Sequence, residues 1–347
     1  MSVVVKPLTP ELEAGWTSFV TSHASGTLFH ALEWRDLLLQ TFRHEARYYV
    51  ALRDDSVVGV LPLVAIRSIF FGRSVISVPF GVYGGIVADD SEAAHALAGE
   101  ARELLMDVGA AYVELRHVTA PPGLEDLPKK DLYCTFAKDL PDDPTDVLGT
   151  IPRKARAEVR KARKRDDVTT EVAELDLREF HDLFAQNKRK LGSPVFPKSL
   201  FMNLNRILGD RCTVLTVRLD GRAVAAVMNF VWRDTLMAYY SGAGDEANRI
   251  SANNLMYAAS MEWAVEQGLK QFDFGRSRMG TGAFAFKKNM GFEPVPLDYQ
   301  FLLADGAPLP EINASNPRYD MAKKLFRILP TFAAEKLGSF VAKRMPV

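Results

Sequence analysis

The sequence predicts an α/β (α+β) chain of two tandem domains followed by a helical tail, and three observations carry that prediction. Its 347 residues are about twice an ordinary domain length. Their balance, 48% hydrophobic and 25% charged, is that of packed globular cores. One order of elements also occurs twice: a hairpin, glycine-rich strand and turn material, a helix closed by glycine, then a strand.

Residues 48–66, YYVALRDDSVVGVLPLVAI, are β-branched and apolar on both sides of Asp54-Asp55-Ser56, the pattern of a hairpin. CTVLTVRLDGRAVAAVMNFVW (212–232) repeats it around Asp220-Gly221, and Asp54 and Asp220 lie 166 positions apart. SEAAHALAGEARELLMDVG and AAYVELRH then read as helix and strand, with SANNLMYAASMEWAVEQG and LKQFDFG as their counterparts. The closing glycines, Gly109 and Gly268, are 159 positions apart. Offsets that agree within a short loop's length predict an internal duplication. Ser251 suits the N-cap of the second helix, and both glycines suit the left-handed position that ends a helix. Strand alternation sets Glu114 and Asp273 on the face opposite their apolar neighbours, toward solvent or a cleft.

Between the halves, KDLPDDPTDVLGT (138–150) holds two prolines and four aspartates and reads as a linker. A basic helix follows. In PRKARAEVRKARKR (152–165), eight residues are cationic and one acidic, Pro152 suits a first helical position, and Ala155, Val159 and Ala162 form a narrow apolar stripe. Residues 316–347 read as two short amphipathic helices broken at Pro330, with a local charge of +5. They are expected to dock on the second domain; the alternative is contact with an anionic leaflet. The expected division is therefore 1–150, 151–305 and 306–347.

The charges exclude a uniform polyanion coat, because 43 Lys plus Arg balance 43 Asp plus Glu. Cys134 and Cys212 lie far apart without CxxC spacing, which fits a reducing compartment. No apolar run approaches the roughly 20 residues of a membrane span and the N-terminus lacks a signal-peptide core, so the expected location is cytoplasmic, with at most peripheral contact at the inner face of the membrane. There is no GxxxxGK[ST], GxSxG, HExxH or complete GxGxxG. The six histidines show no pair at ligand spacing, so no metal site is expected.

The densest segment is FDFGRSRMGTGAFAFKKNMGF (272–292), where glycines allow close approach to the backbone and cations suit phosphate or an oxyanion. In the first half, PFGVYGGIVAD (79–89) has the same glycine–aromatic character, and Tyr83 is expected to line an acceptor cleft. Together, VRLDGRAVAAVMNFVW, YYSGAG, SANNLMYAASMEWAVEQG, the 272–292 run and the preceding RKARAEVRKARKR resemble the Fem family of aminoacyltransferases. Within it they are most similar to the Fem-like proteins associated with exosortase and exopolysaccharide loci.

The resemblance implies two copies of the acyl-CoA N-acyltransferase (GCN5-related) fold, mixed sheets flanked by helices. It further implies transfer of an activated acyl group, typically aminoacyl on tRNA, to an amine on a cell-envelope precursor such as a peptidoglycan stem peptide. The alternatives are an acyl-CoA-dependent N-acyltransferase acting on an amino sugar or lipid precursor, and a non-catalytic binding protein of polysaccharide export. GDEANRISANN lacks the RxxGxG/A loop by which acyl-CoA enzymes of this fold hold pyrophosphate, so the donor stays open between aminoacyl-tRNA and acyl-CoA. The catalytic candidates are Asp273 to position or deprotonate the amine, Lys287 to stabilise charge at the reacting carbonyl, and Tyr240 to donate to the leaving group. Arg276 and Lys288 would bind phosphate, with Ser277, Phe286, Gly280 and Gly282 lining the pocket. Arg153, Arg156 and Arg160 would meet tRNA phosphates.

Overall fold

The computed structural model describes residues 2–68, 72–173, 177–310, 324, 326–329 and 331–344. The chain forms two compact units, one of Met1–Tyr133, Pro296–Ala314 and Lys343–Val347, the other of Cys134–Val295 and Ser315–Ala342. These are not the contiguous pieces 1–150, 151–305 and 306–347. The reason is hydrogen bonding at the sheet edges. Tyr299–Leu303, late in the chain, pairs antiparallel with Tyr112–Arg116 and completes the first unit's sheet. Ala137–Asp139, which runs into the start of the expected linker, pairs antiparallel with Gln271–Asp273 and completes the second's. The rest of that segment is also structured, as a 3-10 helix Pro144–Thr150 that buries Val147.

In the first unit the strand order is Val4–Pro7, Glu45–Arg53, Ser56–Ser68, Gly72–Ile76, Tyr112–Arg116, Tyr299–Leu303. Asp54 and Asp55, with φ of 51° and 61°, form the two-residue turn of the hairpin, as its right-handed twist requires. The helix Ser91–Asp107 begins where the Asp90 carboxylate accepts from Ala93 N at 3.0 Å. It buries Ala93, Ala94, Leu97, Ala98, Ala101, Leu104 and Leu105 along one stripe.

The second unit's sheet runs Ala137–Asp139, Gln271–Asp273, Thr235–Ala243, Arg222–Trp232, Cys212–Leu219, Val168–Ala173. Its hairpin turns at Asp220 and Gly221, again with positive φ. Each hairpin carries a register shift, at Ala51/Leu52 and at Val217/Arg218, 166 positions apart like the turns. Both central helices end in the same way. Gly109 N and Ala110 N reach Met106 O and Leu105 O, while Gly268 N and Leu269 N reach Val265 O and Ala264 O. That is the Schellman arrangement, with glycine in the left-handed position. Each helix then leads to a strand that pairs parallel with an earlier strand of its sheet, with Glu114 opposite Ile76 and Asp273 opposite Met237. Ser251 differs from expectation: at φ 56° its hydroxyl donates to Glu158 at 2.5 Å instead of capping the helix Ala252–Glu266.

The basic helix spans Arg153–Arg163, with Ala155, Val159 and Ala162 buried and Pro152 just before its first turn. The tail helix, Thr331–Ala342, lies in the second unit, where Gly338 sits so close to Val195 that a Cβ would come within 2.5 Å of its nitrogen. Residues 311–323 and 330, including the expected break at Pro330, lie outside the described residues.

Candidate functional site

The parallel ladder in the second unit stops early. Gln271–Asp273 pairs with Thr235–Ala243 only as far as Asp273 opposite Met237. The longer strand continues to Ala243 with Arg222–Trp232 on its other edge, while the shorter one ends in a turn at Gly275, φ 65°. Beyond that point Ala238–Ala243 and the 274–276 turn no longer pair, and this unpaired end of the parallel ladder is the wedge. Tyr257, from the helix Ala252–Glu266, donates to Ser241 Oγ at 3.2 Å and sets its ring edge-on to Phe274 at 4.7 Å, so it touches both sides.

The helix Leu177–Leu191 covers this end of the strand. It approaches so closely at Gly242 that a Cβ there would lie within 2.5 Å of Leu183 C. Phe180 and Phe184 are buried beneath it, and Lys188 continues their four-residue spacing. The Lys188 ammonium lies 5.1 Å from the Phe184 ring centre and 5.2 Å from that of Phe196. Burial, with a smaller contribution from the nearby Arg276 charge, pushes its pKa down to about 8. Tyr240 stands edge-on to the same Phe184 and Phe196 rings at 5.9 and 6.0 Å. Burial raises its pKa, with Arg276 opposing, so it is a protonated O–H donor at neutral pH. The fold thus gathers Arg276, Tyr240 and Lys188, a residue the sequence reading missed. The available signal was a lysine continuing the apolar stripe of Phe180 and Phe184.

Asp273 and Lys287 meet here too, in different roles from those expected. Asp273 is 6% exposed and its carboxylate accepts from Gly275 N at 2.6 Å and Thr135 Oγ1 at 3.2 Å. Lys287 is 9% exposed and donates to the carbonyls of Phe274 and Gly275 at 2.8 Å and of Arg276 at 3.3 Å. An ammonium has three protons, and all three are used in holding the turn. Burial pushes its pKa down to about 8, against the opposing effects of Asp273 and Cys134. The pair therefore fixes the turn that presents Arg276, as a carboxylate and a cation do in the first unit: Arg116 bonds Glu114 at 2.7 Å and the carbonyls of Val78 and Gly81.

The other expected residues scatter. Ser277 is 5% exposed, its carbonyl accepting from Cys134 Sγ at 3.7 Å. Phe286 is half-buried against Tyr257 at 5.6 Å. Lys288 is exposed, over Phe284 at 6.0 Å. Gly280 and Gly282 lie on the exposed approach to the helix Gly282–Asn289, which Thr281 caps through Phe284 N. Arg153, Arg156 and Arg160 line a groove of about 570 Å³ with Lys161 and Lys164.

In the first unit, Tyr83 is buried and lines a cavity of about 250 Å³ with Thr27, His30, Gly85, Arg116 and His117. His117 Nε2 accepts from Ile86 N at 2.8 Å, and the His30 ring lies between Thr27 and the Gly85 carbonyl. Burial pushes the His117 pKa down to about 4 and that of His30 to about 3, so both rings are neutral.

Residues 152–288 match a family model described as an acetyltransferase (GNAT) domain. Among solved structures, FemX is similar at TM-score 0.65 and 17% identity, over 92% of this chain and 100% of that one. A tandem GNAT protein from the clavulanic acid biosynthesis pathway gives 0.57 and 12%, over 89% and 100%. L-PGS from Bacillus licheniformis gives 0.56 and 13%, over 88% and 95%. No curated protein matches. The fold is the tandem GNAT fold, and its second unit carries the domain of an acyltransferase.

Proposed function

We propose that the second unit transfers an activated aminoacyl or acyl group to an amine on a cell-envelope or exopolysaccharide precursor. The observation that carries this reading is the wedge beside Arg276, Tyr240 and Lys188. Amide formation from an ester or thioester needs a neutral amine, and a lysine with a pKa near 8 is a base matched to neutral solution. The amine nitrogen attacks the acyl carbon, Lys188 takes the proton released, and the carbon–oxygen or carbon–sulfur bond to the donor breaks. Tyr240 supplies a proton to that leaving atom, and Arg276 binds the donor's phosphates. In this assignment Lys188 replaces Asp273 as the base, and Lys287 acts through the turn it holds.

The donor is an aminoacyl-tRNA or an acyl-CoA. The GNAT match favours acyl-CoA, while the cationic groove of the Arg153–Arg163 helix suits the phosphates of tRNA. No helix among the described residues is long and apolar enough to cross a membrane. In this reading a lipid-linked acceptor is met at the membrane surface. We assign that contact to the cationic tail.

The test is incubation of purified protein with charged tRNA, acyl-CoAs and amine-bearing envelope or amino-sugar precursors, read by mass spectrometry. An acceptor mass increment, abolished in Arg276→Ala and Lys188→Met proteins that still fold, is the expected result. Transfer undiminished in both variants removes the site assignment.

A further inference from the structure

Among the described residues, one cluster of metal-ligating side chains lies outside the proposed transfer site, and it uses a histidine that the sequence spacing did not connect to any partner. His181 and Asp182 come from the helix Leu177–Leu191, and Glu335 comes from the tail helix Thr331–Ala342. One ligand atom from each lies within 4.8 Å of the others. They line a cavity of about 610 Å³, together with Arg178, Lys198, Lys336 and Ser339.

Two features distinguish this cluster from a chance meeting of surface charges. The first is the tautomer of His181, a residue only 4% exposed. Its Nε2 lies 3.1 Å from the carbonyl oxygen of Phe196. A carbonyl only accepts, so Nε2 carries a proton, and in the neutral tautomer that a metal ligand requires, Nδ1 holds the lone pair. Nδ1 has no hydrogen-bond partner among the described residues and is not among the fully sealed polar atoms. A buried imidazole held by a carbonyl at one nitrogen and left with a lone pair at the other is the arrangement that orients a metal ligand. The second feature is charge. Three cations line the cavity, yet neither Asp182 nor Glu335 forms an ion pair among the described residues. Both carboxylates therefore remain available.

We propose that His181, Asp182 and Glu335 form a zinc site that fastens the tail helix to the helix Leu177–Leu191. One imidazole and two carboxylates suit a borderline divalent ion, with water in the remaining position. Zinc ligands at about 2.1 Å from the ion would stand roughly 3.4 Å apart, so the side chains must close by about an ångström. Asp182 is exposed and Glu335 half-buried, so both have rotamers free to do this. The ion would join segments separated by more than 150 residues, on the helix that also carries Lys188.

The test uses the full chain freed of metal with a chelator and titrated with zinc chloride against a chromophoric chelator. One zinc per chain is expected, with at least tenfold weaker binding in Glu335→Gln and in Asp182→Asn. Zinc should also raise the Tm of the parent chain and leave that of Glu335→Gln unchanged. His181→Gln is a weaker probe because the ring is buried, and the two carboxylate variants decide without it. Less than one equivalent bound, or affinity unchanged in both carboxylate variants, overturns the proposal. So does a Tm that responds to magnesium and not to zinc.

Discussion

The ammonium of Lys188 and that of Lys287 have nearly the same depressed pKa, yet their surroundings give them different work. Lys287 spends its protons on three backbone carbonyls, whereas Lys188 lies over two aromatic rings beside the wedge. Lys287→Met should leave those carbonyls without their buried donor and destabilise the second unit by about 3 kcal/mol, measured as a fall in the urea midpoint. Lys188→Met should be milder for stability, because it removes a charge that burial disfavours. Its effect belongs to the reaction. A lysine base works in its neutral form, so kcat/KM of the parent should rise with pH and level off above about 8. In Lys188→Met that rise should vanish, with a rate loss of roughly 10²-fold or more. An unchanged pH profile in the variant would remove Lys188 from the mechanism.

At the scale of elements, the wedge depends on how closely the helix Leu177–Leu191 seats on Thr235–Ala243. Gly242 sets that distance, since any side chain there meets the backbone of Leu183 and Phe184. Backbone cannot swing aside as a flexible side chain can. Gly242→Ala should therefore lift the helix, cost about 1–3 kcal/mol, and lower transfer by moving Lys188, all without touching a catalytic group. Thermal unfolding together with steady-state kinetics checks it; an alanine variant with parent stability and rate would show that the helix seats more loosely than described. The hairpins and helix ends behave differently. Asp54-Asp55 and Asp220-Gly221 bend through residues with positive φ, and both glycine-closed helices use the same two backbone bonds, so their geometry is written locally.

For the molecule as a whole, acid should act first on the first unit. His30 and His117 titrate at about 3 and about 4 when folded, against an ordinary value near 6.5. Both pKa values are lowered, so below pH 6.5 the unfolded chain binds the more protons and stability falls as pH falls. The loss should reach roughly 2 kcal/mol for each ring by pH 5. Trp16 and Trp34 are buried in the same unit, at 0% and 1% exposure. Replacing Trp232 and Trp263 by Phe would leave their emission as the probe of urea unfolding at pH 7.5 and pH 5. A midpoint independent of pH over that range would contradict the buried neutral state of both rings. Each unit also takes a strand from beyond the boundary that composition suggests. Tyr299–Leu303 belongs to the sheet begun at Val4, and Ala137–Asp139 to the sheet of the later half.

The sequence by itself determined the duplicated order of elements, the two tight hairpins, the glycine-closed helices and the apolar stripe of the basic helix. Each follows from neighbours within a few positions, where turn chemistry and periodicity act. It also pointed to the 272–292 run, whose Arg276 lies near enough to Tyr240 for its charge to act on that hydroxyl. The edge strands that cross the expected boundary were not legible, because 138–150 has a linker's composition and only hydrogen-bond pairing across the chain gives Ala137–Asp139 a place. The role of Lys287 was misread for a related reason: its partners are backbone carbonyls, which carry no residue signature. Lys188 beside Arg276, and His181 beside Glu335, are meetings over tens to hundreds of residues. Only the packing of helices on a sheet brings such groups together, and only there does burial change what their charges can do.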